Sequence, residues 1–170
     1  MATKLNAKTI GTYIRDRIKA NVGTELGLVA CNLGDLRRVF WPASEDAAGY
    51  GSRVPAVFVM PVDFDNKLGT LNQRYDQNLR FRVVYVRAYD EGVTAFDALE
   101  NGLARIADQI LENYRFDNPA IALSQAQMVI AEVSSGEFDP PENELFMEAG
   151  AQLHAAAIIV TVRLRMWNTV

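Results

Sequence analysis

The side chains that most often carry covalent or metal chemistry are scarce in this sequence. Its 170 residues include one cysteine, Cys31, and one histidine, His154. One cysteine permits no disulfide within the chain, and one histidine leaves no Cys/His cluster to bind zinc, haem or iron–sulfur groups. Cys31 ends an apolar run and His154 opens an apolar strand, with no serine-nucleophile motif in the sequence. We therefore expect both residues to be structural, and the sequence predicts no enzyme.

Patterns that bind phosphate or metal ions are also missing. Neither G-x-x-x-x-G-K-[ST] nor G-x-G-x-x-G occurs, and Gly49 and Gly51 flank Tyr50 without a following helix pattern. Asp63 and Asp65 lack the glycine and distal glutamate of a calcium loop. We expect a solvated strand end at these aspartates, and neither a metal ion nor a cofactor.

Charged residues are distributed unevenly along the chain. The net charge is −4, but residues 90–148 contain 13 acidic side chains and two arginines, whereas residues 1–89 contain 13 basic and 8 acidic side chains. This asymmetry is compatible with a nucleic-acid face, with complementary protein-binding surfaces or with ordinary solvated surface. Five of the carboxylates lie in the segment Ser134–Gly150, namely Glu137, Asp139, Glu142, Glu144 and Glu148. We expect that segment to be a loop that contacts a partner.

Arginines alternate with apolar residues on two predicted strands. Arg80 and Arg82 lie on one, Arg163 and Arg165 on the other, so they form one basic sheet face if the strands are neighbours. RNA-binding sheets add exposed aromatic side chains for base stacking, and here only Trp167 accompanies the arginines, in a chain with a pI near 5.0. We expect no sequence-specific nucleic-acid binding. The arginines suit an oligomer in which they meet the acidic helix or loop of a neighbouring copy.

Hydrophobic periodicity predicts an α+β domain that spans residues 1–170. Apolar residues recur at helical spacing over 6–22, where Gly23 ends the helix, and over 94–114. The predicted strands are 35–41, 54–63, 79–89, 127–133 and 154–167. We expect a mainly antiparallel sheet with two principal helices on one face, a central last strand, and a hairpin with a long loop from Phe64 to Asn78. That loop contains two further basic candidates for partner contact, Lys67 and Arg74.

The order of these elements resembles the tail terminator (tail completion) proteins and related head-to-tail joining proteins of tailed bacteriophages. The resemblance covers most of the chain and includes the N-terminal helix, Pro55–Asp63 with Leu79–Val86, the helix through Ala104–Ala107, and Ala157–Leu164. It implies a structural virion protein that forms a ring, typically of six copies, at the head-proximal end of a tail tube. Such a ring stops tube growth and joins the tail to the head connector.

The resemblance also implies the partners and the location. The partners are other copies of the chain, the tail tube protein, the head–tail connector or stopper protein, and a sheath protein if the tail is contractile, with DNA passing through the ring. The location is the virion at the head–tail junction, after assembly in the host cytoplasm. No apolar run reaches the roughly 20 residues that span a bilayer, so we expect a soluble protein without a membrane partner.

Two alternatives remain open at the level of sequence. One is another neck protein, such as a stopper or connector completion protein. The other is a small soluble α+β enzyme or ligand-binding module, which would need a concave pocket with convergent polar groups.

Overall fold

Three helices and five strands make up the part of the chain that the computed structural model describes, which is residues 7–34, 53–69, 74–89, 93–112, 126–148 and 152–167. In chain order they are α1 (Ala7–Val22), β1 (Ala30–Leu33), β2 (Ala56–Gly69), β3 (Arg74–Ala88), α2 (Val93–Leu111), β4 (Ala126–Glu137), α3 (Glu142–Glu148) and β5 (Leu153–Trp167). The α+β class and the two long helices are confirmed.

The strands form one sheet in the order β1-β2-β3-β5-β4. β1 pairs with β2 in parallel, and all other pairs are antiparallel. The last strand, β5, lies between β3 and β4, which confirms its predicted interior position. β2, β3 and β5 are 14 or 15 residues long, and β3 is paired along its whole length with β5 and along almost all of it with β2.

Both long helices cover the same face of the sheet, as predicted. The stripes Ile10, Ile14, Ile18 and Val22 of α1 and Leu99, Leu103, Ile106 and Ile110 of α2 are buried in one core. On the sheet side this core contains alternate residues of β2, β3 and β5, such as Val59, Phe81 and Val160. Burial of these two apolar stripes is the main reason that the helices lie flat on the sheet.

The helix layer approaches the sheet closely at Gly102. A Cβ atom there would overlap the ring of Tyr85, which is almost completely buried, so α2 can lie this close only without a side chain. Gly11 plays the same role in α1, where a Cβ would fall 2.6 Å from Cδ1 of Leu33.

The opposite face of the sheet, called the second face below, has a smaller core. Phe58, Val84, Val86 and Ala157 pack there with Phe146 of α3. The sequence predicted a loop over 134–150, and that interpretation is wrong: β4 continues to Glu137, and α3 follows Pro140 and Pro141. Proline is favoured at the first turn of a helix, where its missing N–H has no intrahelical partner, so this pair starts a helix and does not prolong a loop.

The strand pairing corrects one other expectation and adds one strand that was not predicted. The segment 64–78 is a continuation of the hairpin: β2 and β3 stay paired from Phe64 opposite Leu79 to Gly69 opposite Arg74. The weakly periodic segment 24–35 contains β1, which is short because only four residues pair with β2. The predicted strand 35–41 and the glycines at 49 and 51 lie outside the described residues.

Within the described residues, no helix is long and apolar enough to cross a bilayer.

Candidate interaction surface on the second face of the sheet

The four candidate arginines share one face of the sheet, because β3 and β5 are neighbours. In the register, Arg80 lies opposite Thr161 and Arg82 opposite Ile159, while Arg163 and Arg165 lie opposite Asn78 and Asp76. Over the residues whose side chains are described, even-numbered residues of β3 and odd-numbered residues of β5 point to the second face, as Val84 and Ala157 show. Arg165 is placed by its register position alone. The adjacency that a shared arginine face requires is therefore confirmed.

Carboxylates of the same chain lie between the arginines. Arg82 Nη2 donates to Glu137 Oε2 at 2.9 Å and to Glu142 Oε2 at 3.0 Å. Arg80 Nε pairs with Asp63 Oδ1 at 2.5 Å, and Arg163 Nη2 pairs with Glu132 Oε1 at 2.8 Å. The described part of this face is thus a network of alternating charges, which differs from the uniformly basic surface that the arginines alone suggest.

Two β-bulges bring two of these carboxylates to the arginines. The register of β2 shifts between Pro61 and Asp63, and that of β4 shifts between Val133 and Ser135. Without the shifts, simple alternation would place Asp63 with Val59, and Glu137 with Val133, on the helix-covered face. A bulge adds one residue to one strand, so every later side chain changes face.

Arg82 connects three elements at the least exposed point of the network. The Arg82 side chain is 19% exposed and that of Glu142 is 12% exposed. The Nε of Arg82 is buried without a hydrogen-bond partner among the described residues. The two ion pairs join β3 to the end of β4 and the start of α3. Partial burial weakens solvent screening, so this is the electrostatically strongest part of the face.

The short helix α3 is held to the sheet by Asn143. Its Nδ2 donates to the Ala155 carbonyl at 3.2 Å and to Asp139 Oδ1 at 2.9 Å, and its Oδ1 accepts from Ala155 N–H at 2.7 Å. With Asn143 and Phe146 buried, the other side of α3 faces solvent and exposes Glu144, Met147 and Glu148.

The remaining basic candidates are placed by strand register alone. Lys67 of β2 lies opposite Asp76 of β3, and Arg74 of β3 lies opposite both Gly69 and Trp167. They belong to the far end of the sheet, beyond the segment of β2 that pairs with β1. Val62 and Phe64 lie at the start of that end and are both exposed.

The two residues considered for nucleophilic chemistry lie apart from this network. Cys31 on β1 is half-buried, its Sγ donates weakly to the Arg15 carbonyl at 3.5 Å, and burial raises the pKa of its thiol to about 11. A thiol with a raised pKa is a poor nucleophile at neutral pH. His154 is half-buried beside the Tyr89 ring, with 6.2 Å between the ring centroids. Among the described residues, no three His, Cys, Asp or Glu side chains are close enough to hold a metal ion.

Concave regions of the described surface lie in the helix layer. A hollow of about 620 Å³ opens between the end of α1 and β1, lined mainly by residues 27–32 with Lys19 at its rim. A smaller one, about 270 Å³, lies beside Arg105 of α2, which makes a forked pair with Glu25 at 2.9 and 3.1 Å. This pairing keeps the pKa of the Glu25 carboxyl below its usual value. The smaller hollow is lined by polar side chains that include Arg87 and Asn101, and its Glu25 and Arg105 are already paired with each other.

Comparison with known proteins shows a fold of the sheath/tube terminator type. The structure superposes on a sheath/tube terminator of the PVC extracellular contractile injection system in its extended state, with a TM-score of 0.51 and 10% sequence identity. The match covers 99% of this chain and 58% of that one, so this chain spans less than two thirds of its relative's length. The fold implied by the resemblance to tail terminator proteins is thus confirmed.

A second match is a chain from the virion of a native gene transfer agent particle, with a TM-score of 0.46 and 10% identity. It covers 94% of this chain and 95% of that chain. No protein-family model matches the sequence, and a search of curated proteins by sequence found no match.

Proposed function

We propose that this chain is a structural protein of a phage-type virion that forms a ring at the head-proximal end of a tail tube. The ring ends tube polymerisation, because it covers the surface on which the next tube ring would add, and it joins the tail to the head connector. The observation that carries the proposal is the fold shared with a sheath/tube terminator along almost the whole chain.

The second face of the sheet is the proposed docking surface for partners. Arg80, Arg82 and Arg163 each pair with a carboxylate of the same chain, so this face presents an ordered pattern of alternating charges. The exposed Glu144, Met147 and Glu148 of α3 extend it at one end, and Lys67, Arg74 and Arg165 extend it at the other. Charged patterns of this kind orient two partners and discriminate between them.

The proposed partners are further copies of the chain, the tail tube protein, and the connector or stopper protein of the head. A sheath protein is a further partner in a contractile tail. The proposed place of action is the virion neck, with DNA passing through the ring. The role is one of binding and shape, without a cofactor and without catalysis.

Native mass spectrometry combined with electron microscopy of the purified chain tests this proposal. A closed ring, with six copies as the expected number, supports it, whereas a strict monomer contradicts it. The second test adds the chain to polymerising tail tube protein. A terminator caps the tubes and shortens them as its concentration rises. A stopper or connector completion protein, the main alternative, binds the head side and leaves tube length unchanged.

A further inference from the structure

The two long helices lie side by side on one face of the sheet, each over a different lateral half. α1 packs on β1 and β2, whereas α2 packs on β3, β5 and β4. β1 and β4 are the two edge strands, so each helix marks one lateral side of the subunit. These sides are called the β1 side and the β4 side.

The β1 side is basic. Lys8, Arg15 and Lys19 are spaced by seven and four residues and therefore fall on one side of α1. That side faces β1, because the Arg15 carbonyl accepts from Cys31 Sγ and Lys19 borders the hollow between α1 and β1. Arg15 pairs with Asp16 at 2.6 Å, while Lys8 and Lys19 are exposed. Val29, in the wall of the hollow, is 60% exposed.

The β4 side is acidic. Arg105 identifies the side of α2 that faces α1, since it pairs with Glu25 just after α1. The side of α2 turned away from Arg105 carries Glu100 and Leu111, and Asp97 lies between that side and the solvent-facing side of the helix. All three residues are exposed, with Leu111 at 50%. An exposed apolar side chain next to carboxylates is the counterpart of the exposed Val29 in a hollow bordered by Lys19.

We propose that successive copies associate head to tail, with the β4 side of one copy packed on the β1 side of the next. This inference rests on the proposed ring and names its contact. Asp97 and Glu100 of one copy face Lys8 and Lys19 of the next, and Leu111 enters the hollow beside Val29. A contact between two different surfaces of the same chain is heterologous and closes into a ring when the rotation per copy permits.

Charge balance favours a second copy of this chain as the occupant. The β1 side carries Lys8, Arg15 and Lys19, and the outer surface of α2 towards the β4 side carries Asp97 and Glu100. Opposite charges on opposite sides of one subunit are what self-association requires, whereas an unrelated partner would need only one of the two charged sides. The arginines of the second face contribute less to this contact, because carboxylates of their own chain already pair with Arg80, Arg82 and Arg163.

Charge reversal on each side tests the contact. Lys8→Glu/Lys19→Glu and Asp97→Lys/Glu100→Lys are each expected to weaken self-association by at least about tenfold at low salt, because like charges then meet. Mixing the two variants restores association, since every contact in an alternating assembly again joins opposite charges. The chain with all four substitutions also associates. Native mass spectrometry and sedimentation measure association, and circular dichroism verifies the fold of each variant.

Asp108→Lys/Glu112→Lys is the matched control, because it makes the same charge change on α2 towards the side of Arg105. It is expected to associate as the wild type does. If the wild type forms rings and either reversal variant forms them equally well, the contact is wrong while the ring stands. Failure of the mixture and of the fourfold variant to associate also contradicts the contact. A strictly monomeric wild type overturns the proposed ring, and the contact with it.

Discussion

Asn143 replaces a missing strand neighbour for Ala155. β4 stops pairing with β5 at Glu137, which lies opposite Ala157. Ala155 comes two residues before Ala157 on β5, and the side-chain amide of Asn143 bonds both its N–H and its C=O. One side chain thus satisfies two buried backbone groups at the point where the ladder ends. The same contact fixes α3 on the second face.

Replacement of Asn143 by alanine is expected to destabilise the fold by about 1–3 kcal/mol, because it leaves the Ala155 N–H and C=O buried without partners. Urea unfolding followed by circular dichroism measures the change. Glu144→Ala, at the adjacent exposed position, is the control and is expected to change stability by no more than about 0.5 kcal/mol. Equal effects of the two substitutions would contradict the role of Asn143.

The ion pairs of the second face are expected to differ in strength with their exposure. A double-mutant cycle with Arg82→Met and Glu142→Gln is expected to give a coupling of about 1.5–3 kcal/mol, since both side chains are mostly buried. The same cycle for Arg163 and Glu132, which are 60% and 45% exposed, is expected to give about 0.2–1 kcal/mol. A larger coupling for the exposed pair would show that burial does not set the order.

Gly102→Ala is expected to destabilise the protein by about 1–3 kcal/mol, because the added methyl overlaps the buried Tyr85 ring and forces α2 away from the sheet. Thermal or urea unfolding measures the effect. Gly136→Ala in β4 is the control, since its new methyl would meet only ordinary contacts of 3.7 Å and longer. That substitution is expected to be neutral or stabilising by about 0.5–1 kcal/mol. The opposite ranking would exclude a close helix approach at Gly102.

Cys31 is expected to react slowly with alkylating agents near neutral pH. Burial raises its pKa to about 11 from an ordinary value of 9.0, so the reactive thiolate is roughly 100-fold rarer at about pH 8 than in an exposed thiol. The rate is expected to rise about tenfold per pH unit up to about pH 11. Mass spectrometry of alkylation time courses gives the rate, with the urea-unfolded chain as reference. A plateau near pH 9 would contradict a raised pKa.

Reversal of Arg163 and Arg165 to glutamate is expected to weaken assembly of the ring or its attachment to a partner. Part of that effect comes from within the subunit, because Arg163→Glu places like charges beside Glu132. Adding Glu132→Arg restores the internal pair without restoring the original charge at position 163. If assembly stays weak in the variant that also carries Glu132→Arg, the arginines act between molecules. Unchanged assembly in the variant with only the two arginine substitutions would remove both arginines from the interface. Sedimentation and tube-capping assays measure the outcome.

Local periodicity was sufficient to predict the two long helices, the alternating strands and the helix-covered face. The stripes of α1 and α2 need only the helical repeat, and the interior position of β5 follows from its long apolar alternation. β1 was not predicted, because four residues are too few to show an alternation of apolar and polar side chains.

The partners of the arginines were decided by the tertiary structure alone. A bulge carries no distinct sequence signal, yet those in β2 and β4 move Asp63 and Glu137 to the other face of the sheet, where they meet Arg80 and Arg82. The sequence determined which charged residues the chain has and how they are spaced along its helices and strands. Which of them neutralise each other, and which remain on opposite sides of the subunit, depends on strand order and register, because both are fixed by contacts between residues far apart in the chain.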